Sequence, residues 1–185
     1  MAEEKKEPWL NFLALTTVIL AVCATFSTFK GGGYSTQRIL KQSEASDTWA
    51  QYQSKSIKGY IYQANKEKLE LDLKAMGSKA ASSEVSSLYA QKIEAYGKEI
   101  SRYEKEKKEI SDKARALEAT RDEVQRHGGV FGKAIIALQI AILLCSIAAL
   151  MKKKPLWVLG SVIGALGIAY FVNGFFLFPW LKILA

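Results

Sequence analysis

Three long runs of the sequence contain almost no charged residue, and they constrain the fold more than any other feature. They cover residues 9–29, 131–151 and 156–178, whereas most Lys, Arg, Asp and Glu lie in residues 30–130. A helix of about 20 apolar residues crosses the hydrocarbon core of a bilayer. The pattern therefore predicts an all-α membrane protein with three transmembrane helices at these runs. The other segments are a polar N-terminal tail, an extramembrane region and a short C-terminal tail, at residues 1–8, 30–130 and 179–185.

The first run is predicted to be an uncleaved membrane anchor. Its 21 charge-free residues exceed the roughly 7–15 apolar residues of a signal-peptide core, and the tail before it is net acidic rather than basic. Leu20-Ala21-Val22-Cys23 resembles a lipoprotein cleavage box, but Val22 occupies the position where a small residue is expected. Trp9 and Phe29 are suited to anchor the two ends at the membrane interfaces.

An apolar stripe with an average spacing of 3.5 residues follows the charged region between Tyr89 and Val124. Steps of four and three residues alternate along it, and nine of its eleven positions can contribute apolar surface. That period is typical of a helix that supercoils against a partner. The stripe consists of Tyr89, Ile93, Tyr96, Ile100, Tyr103, Lys107, Ile110, Ala114, Leu117, Arg121 and Val124.

The partner is predicted within the same chain, as the first half of an antiparallel coiled-coil hairpin. Helices at about 35–76 and 83–127 have nearly equal lengths, and Gly77–Ser83 forms the turn between them. Glycines at 31–33 and 128–129 predict a hinge at each membrane junction. The stripe assigned to the first helix contains Ile39, Gln42, Ser46, Trp49, Gln53, Ser56, Ile57, Tyr60, Ala64, Glu67, Lys68, Leu71 and Ala75.

That first stripe is much more polar than the stripe of the second helix. A two-helix pair with so polar a contact is predicted to be only marginally stable, because polar side chains between helices cost stability. Neighbouring protomers are therefore expected to share the stripe of the second helix.

The third apolar run has glycines on one helical face, and Gly160-x-x-x-Gly164 is a pattern that lets helices pack closely. It predicts a helix–helix contact, either within the chain or between protomers. Thr25, Gln139 and Asn173 lie within the apolar runs, towards the hairpin side, and are predicted to form an intramembrane polar cluster. Since none of them is ionisable, structural hydrogen bonding is favoured over a functional role.

No constellation of residues indicates catalysis or a bound metal or cofactor. His127 is the one histidine, and without a second His or a nearby Cys it is a poor metal ligand or catalytic base. The glycines at 31–33 lack the Lys and Ser or Thr of a phosphate-binding loop. The two cysteines, Cys23 and Cys145, lie in apolar runs and indicate no disulfide framework. The sequence thus predicts no enzyme, no cofactor and no metal.

The formal charge of +8 does not indicate nucleic acid as a partner. Residues 30–133 contain 20 basic and 15 acidic side chains in mixed order, which is typical of a solvated helical surface. Lys152, Lys153 and Lys154 form the strongest charge signal in a short loop, so the positive-inside rule places this turn in the cytoplasm, with the N-terminus. The hairpin is then predicted on the periplasmic side, although Lys30, Lys133 and Lys182 argue weakly for the reverse.

The segment Trp49-Ala50-Gln51-Tyr52-Gln53-Ser54-Lys55-Ser56-Ile57-Lys58, preceded by Ala45-Ser46-Asp47, resembles a bacterial membrane-protein family. That family is catalogued as a domain of unknown function, number 4337. The resemblance extends to the N-terminal W-L-N-F-L-A-L and to the final glycine-rich run ending in G-F-F, and it covers nearly the whole chain. It implies a multi-pass protein of the bacterial inner membrane and no assigned activity. The W-x-x-Y-Q-x-K-S-I-K element is expected to contact the second helix, another protomer or a partner.

Three functions fit these predictions. The leading hypothesis is a non-enzymatic, self-associating scaffold or accessory subunit, with membrane lipid, further copies of the chain and an unidentified protein as partners. The alternative is an oligomeric channel whose hairpins form a vestibule, and a third is an adaptor that docks through its hairpin tip. The candidate oligomer or helix-packing interface comprises Trp49, Tyr52, Tyr89, Ile93, Tyr96, Ile100, Tyr103, Gly160, Gly164 and Gly167.

Overall fold

The computed structural model describes residues 8–76 and 84–178, and all regular structure within these ranges is helical. Helix α1 spans Trp9–Ala75, α2 spans Glu84–Met151 and α3 spans Lys154–Phe176. Each helix contains a segment long and apolar enough to cross a membrane. The prediction of an all-helical chain with three such segments is therefore confirmed. Residues 1–7 of the predicted N-terminal tail, the C-terminal tail at 179–185 and the Gly77–Ser83 turn lie outside the described residues.

Helices α1 and α2 continue without a break through the glycines that the sequence predicts as hinges. A Cβ atom added at Gly31 would lie 3.3 Å from Cβ of Phe131, and one added at Gly128 would lie 3.4 Å from Cβ of Tyr34. These two glycines thus lie where α1 and α2 approach closely. The hinge prediction is wrong because a glycine lowers helix propensity by only about 1 kcal/mol, which the packing of long helices outweighs.

The chain divides into two compact units, formed by residues 1–40 with 121–185 and by residues 41–120. In the first unit, α2 provides the centre of the core. Its six innermost side chains recur at steps of three and four residues and have no solvent exposure. Leu20 of α1 and Gly164 of α3 pack against this face. The six residues are Phe131, Ala134, Leu138, Ala141, Cys145 and Ala148.

A two-residue connection joins α2 to α3 in the first unit. Lys152 has a positive φ of 51°, and the amide of Lys153 donates to the carbonyl of Ala148 over 3.1 Å. Pro155 occupies the first turn of α3, where its missing N–H has no helical partner to lose. The expected tight turn at Lys152–Lys154 is present.

In the second unit, α1 and α2 lie antiparallel. The indole Nε1–H of Trp49 donates to Oε1 of Glu118 over 3.0 Å. Nζ of Lys55 lies 2.6 Å from Oε2 of Glu106, and the rings of Tyr62 and Tyr96 are 5.5 Å apart. The position on α2 falls as the position on α1 rises, which defines the opposite directions of the two segments.

Candidate functional site

The apolar stripe of α2 is used within the chain. All eleven of its positions, from Tyr89 to Val124, are buried or half-buried. Tyr103 is 7% exposed and Ala114 is fully buried. The face of α2 that packs in the second unit therefore includes the five residues that the sequence analysis assigns to a possible contact between protomers. They are Tyr89, Ile93, Tyr96, Ile100 and Tyr103.

Aromatic rings and cations alternate along the contact between the two helices. The ring of Tyr62 lies 5.7 Å from that of Tyr103 in a stacked arrangement. Nζ of Lys55 lies 5.5 Å from the Tyr103 ring while it pairs with the carboxylate of Glu106. The hydrogen bond and charge of Lys55 hold the pKa of Glu106 below its ordinary value. Such pairs let charged side chains occupy a contact that apolar side chains would otherwise fill.

Lys107 is the most enclosed cation of this contact. Its Nζ lies 2.8 Å from Oε1 of Glu104, and 5.7 Å and 5.8 Å from the rings of Tyr52 and Tyr60. The bond to Glu104 raises the pKa of Lys107, so the side chain stays charged. The cavity beside it measures about 350 Å³ and is lined by Tyr52, Glu104, Lys107, Lys108, Ser111, Asp112 and Arg115. Its charges are mixed, as on a solvated helical surface.

The stripe predicted for α1 lies on the wrong face of that helix. Of its thirteen positions, all but Trp49 and Ser56 are exposed. The face that contacts α2 contains small residues such as Ala45 and Gly59, which let the helices approach, and it follows the same alternation of four and three residues. Its positions are Lys41, Ala45, Thr48, Tyr52, Lys55, Gly59, Tyr62, Lys66, Leu69 and Leu73, all buried or half-buried.

An apolar face of α1 in the second unit is largely exposed in the part of the chain that the structure describes, although Nζ of Lys107 approaches the ring of Tyr60. Ile57, Tyr60, Ile61 and Leu71 are 59%, 68%, 54% and 65% exposed, and Ala64 lies between them. Their spacing places these five side chains on one face of the helix, opposite the face that contacts α2. We call these five residues the outer stripe.

The glycine face of α3 packs inside the chain. A Cβ atom at Gly164 would lie 2.7 Å from Cδ2 of Leu20 in α1, and one at Gly167 would lie 2.8 Å from Cγ of Leu138 in α2. One at Gly160 would lie 3.2 Å from a carbonyl oxygen of α2. The predicted helix–helix contact is therefore present, and of its two alternatives the structure shows the one within the chain.

The three polar residues predicted to form an intramembrane cluster do not come together. Thr25 is exposed and donates to the carbonyl of Ala21 in its own helix. Asn173 is buried, and its Oδ1 accepts the amide of Phe178 over 2.8 Å, which closes the end of α3. Gln139 is exposed. No hydrogen bond joins any two of them in the part of the chain that the structure describes, because local backbone groups satisfy Thr25 and Asn173.

His127 makes a tertiary contact that sequence reasoning missed. It lies inside α2, and its Nδ1 is 2.7 Å from the carbonyl oxygen of Gly174 in the last turn of α3. Its ring stacks on that of Tyr34 at 5.0 Å, and Tyr34 stacks on Phe131 at 5.8 Å. Since the carbonyl only accepts, Nδ1 carries the proton and satisfies a helix-terminal group that has no partner within its own helix. The 47-residue separation leaves no local signal for this bond.

A recess opens beside Tyr34 between α1 and α2, in the first unit. Its volume is about 220 Å³, and we call it the junction recess. The residues that line it are Gly31, Tyr34, Ser35, Arg38, Val124, Gln125, Gly128 and Gly129. Elsewhere, no group of three or more His, Cys, Asp or Glu residues within 8–76 and 84–178 is placed to hold a metal ion, and both cysteines are free.

The sequence matches one family model over residues 9–177, and that model carries the description "Domain of unknown function (DUF4337)". The chain belongs to this family. No match was found among curated proteins or among solved structures. The suspected resemblance to the family numbered 4337 is thus confirmed.

In this DUF4337 protein, the segment that suggested the family contacts α2. Trp49 donates a hydrogen bond to Glu118, Tyr52 lies edge-on to Trp49 at 5.5 Å, and Lys55 pairs with Glu106. Of the three partners considered for this element, the second helix is contacted by Trp49, Tyr52 and Lys55. Ile57, at the end of the segment, remains exposed on the outer stripe.

Proposed function

We propose that this DUF4337 protein is a non-enzymatic integral protein of the bacterial inner membrane that self-associates and serves as a scaffold or accessory subunit. The three apolar helices are the membrane-spanning elements in this proposal. In this proposal, the antiparallel helices of the second unit form a coiled coil. The alternation of four and three residues on both contacting faces supports this.

The outer stripe is the observation that carries the proposal. Its four large side chains are more than half exposed, and it lies in the charged part of α1, beyond the residues that lipid would cover. A group of large apolar side chains exposed to water marks an interaction surface. We therefore assign self-association to this face of α1, and not to the stripe of α2, which is occupied within the chain.

The test is a double substitution, Ile57→Ser with Ile61→Ser. Both side chains are exposed, so the fold is expected to survive while the protomers separate. Size-exclusion chromatography with light scattering, in mild detergent and over a range of concentrations, measures the protomer number. Leu88→Ser is the matched control, since Leu88 is 54% exposed but lies on α2. A wild-type protein that is monomeric at every concentration, or a double variant with the wild-type protomer number, contradicts the proposal.

An oligomeric channel is the second candidate, and Gln139 favours it. This amide is exposed on the apolar segment of α2 and bonds to no other described residue, so several copies can line a polar path. Ion flux into liposomes that hold the purified protein tests the idea. A conductance that Gln139→Leu abolishes supports the channel, whereas absence of flux in every ionic condition excludes it and leaves the scaffold.

A further inference from the structure

The junction recess exists because glycines leave space between two close helices. Gly31 and Gly128 allow α1 and α2 to approach, whereas a Cβ atom at Gly129 would meet no other atom within 4 Å. The ring of Tyr34 forms one wall and is held in place by its stacks on His127 and Phe131. The volume of about 220 Å³ is several times the roughly 30 Å³ that a water molecule occupies in the liquid.

The lining of the recess suits a phosphate group. Arg38 supplies a guanidinium, whose planar set of donors binds phosphate oxygens in pairs. Tyr34, Ser35 and Gln125 also line the recess, and their side chains carry uncharged donors. Within the described residues Arg38 forms no ion pair, so its charge is available to a ligand.

Carboxylates near the recess do not oppose an anion there. No acidic residue lines it. Asp122, two residues before Val124, is paired with Arg121 over 2.7 Å, and Glu123 is exposed. Lys30 lies on the same part of α1 as the recess, so the acidic side chains near the recess do not outnumber the basic ones.

The position of the recess along the helices indicates which phosphate it meets. Gly31 follows the charge-free run 9–29 of α1, and Gly129 precedes the run 131–151 of α2. If these runs span the bilayer, as the proposed function states, the end of the recess at Gly31 and Gly129 lies at the level of the headgroups, which extend several ångströms beyond each side of the hydrocarbon core. Side chains on a helix lean towards its N-terminus, so Arg38 leans towards the bilayer.

We propose that the junction recess binds the phosphate of an anionic glycerophospholipid, with Arg38 as the charged ligand. The site rests on the membrane insertion in the proposed function but not on self-association. In this proposal, one lipid molecule is a specific ligand of the first unit, in addition to the lipids that surround it as solvent.

Native mass spectrometry of the full-length, detergent-solubilised protein tests the site. Phosphatidylglycerol, phosphatidylcholine and inorganic phosphate are titrated separately, and bound molecules are counted per protomer. We expect one phosphatidylglycerol per protomer in preference to phosphatidylcholine. Arg38→Gln is expected to weaken this binding about tenfold or more, since a charge-assisted bond is lost. Gly129→Leu is expected to do the same by filling the recess.

Two matched controls separate the site from general attraction. Arg126→Gln removes an equal charge from the exposed surface of α2 outside the recess, and Gly132→Leu adds the same side chain at another open glycine. Both are expected to bind as the wild type does. Equal binding by Arg38→Gln and the wild type, or an equal loss in Arg126→Gln, overturns the proposal, and so does inorganic phosphate that binds as tightly as phosphatidylglycerol.

A failure of the lipid-site proposal can be distinguished from a failure of the proposed function. If the protein stays soluble in water without detergent, its assignment as an integral membrane protein is wrong. If the protein assembles through the outer stripe but shows no preference for phosphatidylglycerol, only the proposal of a lipid site is wrong.

Discussion

Glycine residues in this chain meet two different environments. At Gly167 an added Cβ atom would lie 3.1 Å from the backbone nitrogen of Leu138 and 2.8 Å from its Cγ, whereas at Gly33 it would meet nothing within 4 Å. The sequence distinguishes these roles in α3, where the glycines share a face, but not near the start of the charged region. There, neighbouring glycines suggest a hinge, because their close contact with a distant helix is invisible in the sequence.

Alanine substitutions separate these roles. Gly167→Ala is expected to lower the free energy of unfolding by about 1–3 kcal/mol, because the backbone of α2 must move. Gly33→Ala is expected to raise it by up to about 1 kcal/mol, because alanine favours a continuous helix. Denaturant titration in detergent, followed by circular dichroism, measures both. A destabilised Gly33→Ala protein would instead support a flexible junction.

A further prediction at this scale concerns His127. His127→Phe keeps an aromatic ring for Tyr34 to stack on but removes the donor to the Gly174 carbonyl. We expect a loss of about 1–3 kcal/mol in the free energy of unfolding, since a helix-terminal acceptor is left without its partner. His127→Asn, whose amide nitrogen can donate from a similar position, is expected to recover part of it. Equal thermal midpoints for the wild type and His127→Phe would show that the bond contributes nothing.

At the level of the helices, the second is predicted more accurately than the first. The stripe of α2 has one apolar face, and each of its positions is at least half-buried. Helix α1 has two candidate faces, one through Ala45 and Tyr62 and one through Ile57 and Leu71. Hydropathy favours the second, yet the first contacts α2, because Ala45 and Gly59 permit close approach. A single sequence does not encode that choice locally, since it depends on the shape of the facing helix.

Acid should weaken the contact between α1 and α2. Lys55 holds the pKa of Glu106 below its ordinary value, which is about 4.3 for glutamate. The pair therefore stabilises the protein above that pH, and the stabilisation is lost as the pH falls through the lowered pKa of the folded state. We expect Glu106→Gln to be less stable than the wild type at pH 7 and this gap to close below about pH 4.

Thermal midpoints of both proteins between pH 3 and pH 8 measure the gap. Glu94, whose pKa is also lowered, by Lys98, titrates in both proteins and cancels in the difference. A gap that is constant over the whole range would mean that the carboxylate of Glu106 does not stabilise the contact.

At the scale of the whole molecule, the two surfaces that the sequence suggests most strongly for contacts between protomers are packed within the chain. Fewer surfaces are therefore free for assembly. The glycine face of α3 and the stripe of α2 were the candidates for contacts between protomers, and both pack within the chain. In the proposals made above, the outer stripe binds a second protomer and the junction recess binds a lipid. Both proposals depend on the predicted crossing of the membrane by the three apolar segments, which labelling tests.

The proposed membrane crossing predicts that the two ends of α2 lie on opposite sides of the bilayer. Single cysteines at Ser101, in the second unit, and at Met151, beside the turn to α3, report the two sides in a Cys23→Ala, Cys145→Ala background. Met151→Cys leaves Lys152, Lys153 and Lys154 intact, and these lysines are expected to hold the turn in the cytoplasm. A membrane-impermeant maleimide should therefore label Ser101→Cys in intact spheroplasts and Met151→Cys only after permeabilisation. The opposite pattern would reverse the orientation, and labelling of both positions from one side would show that α2 does not cross the membrane.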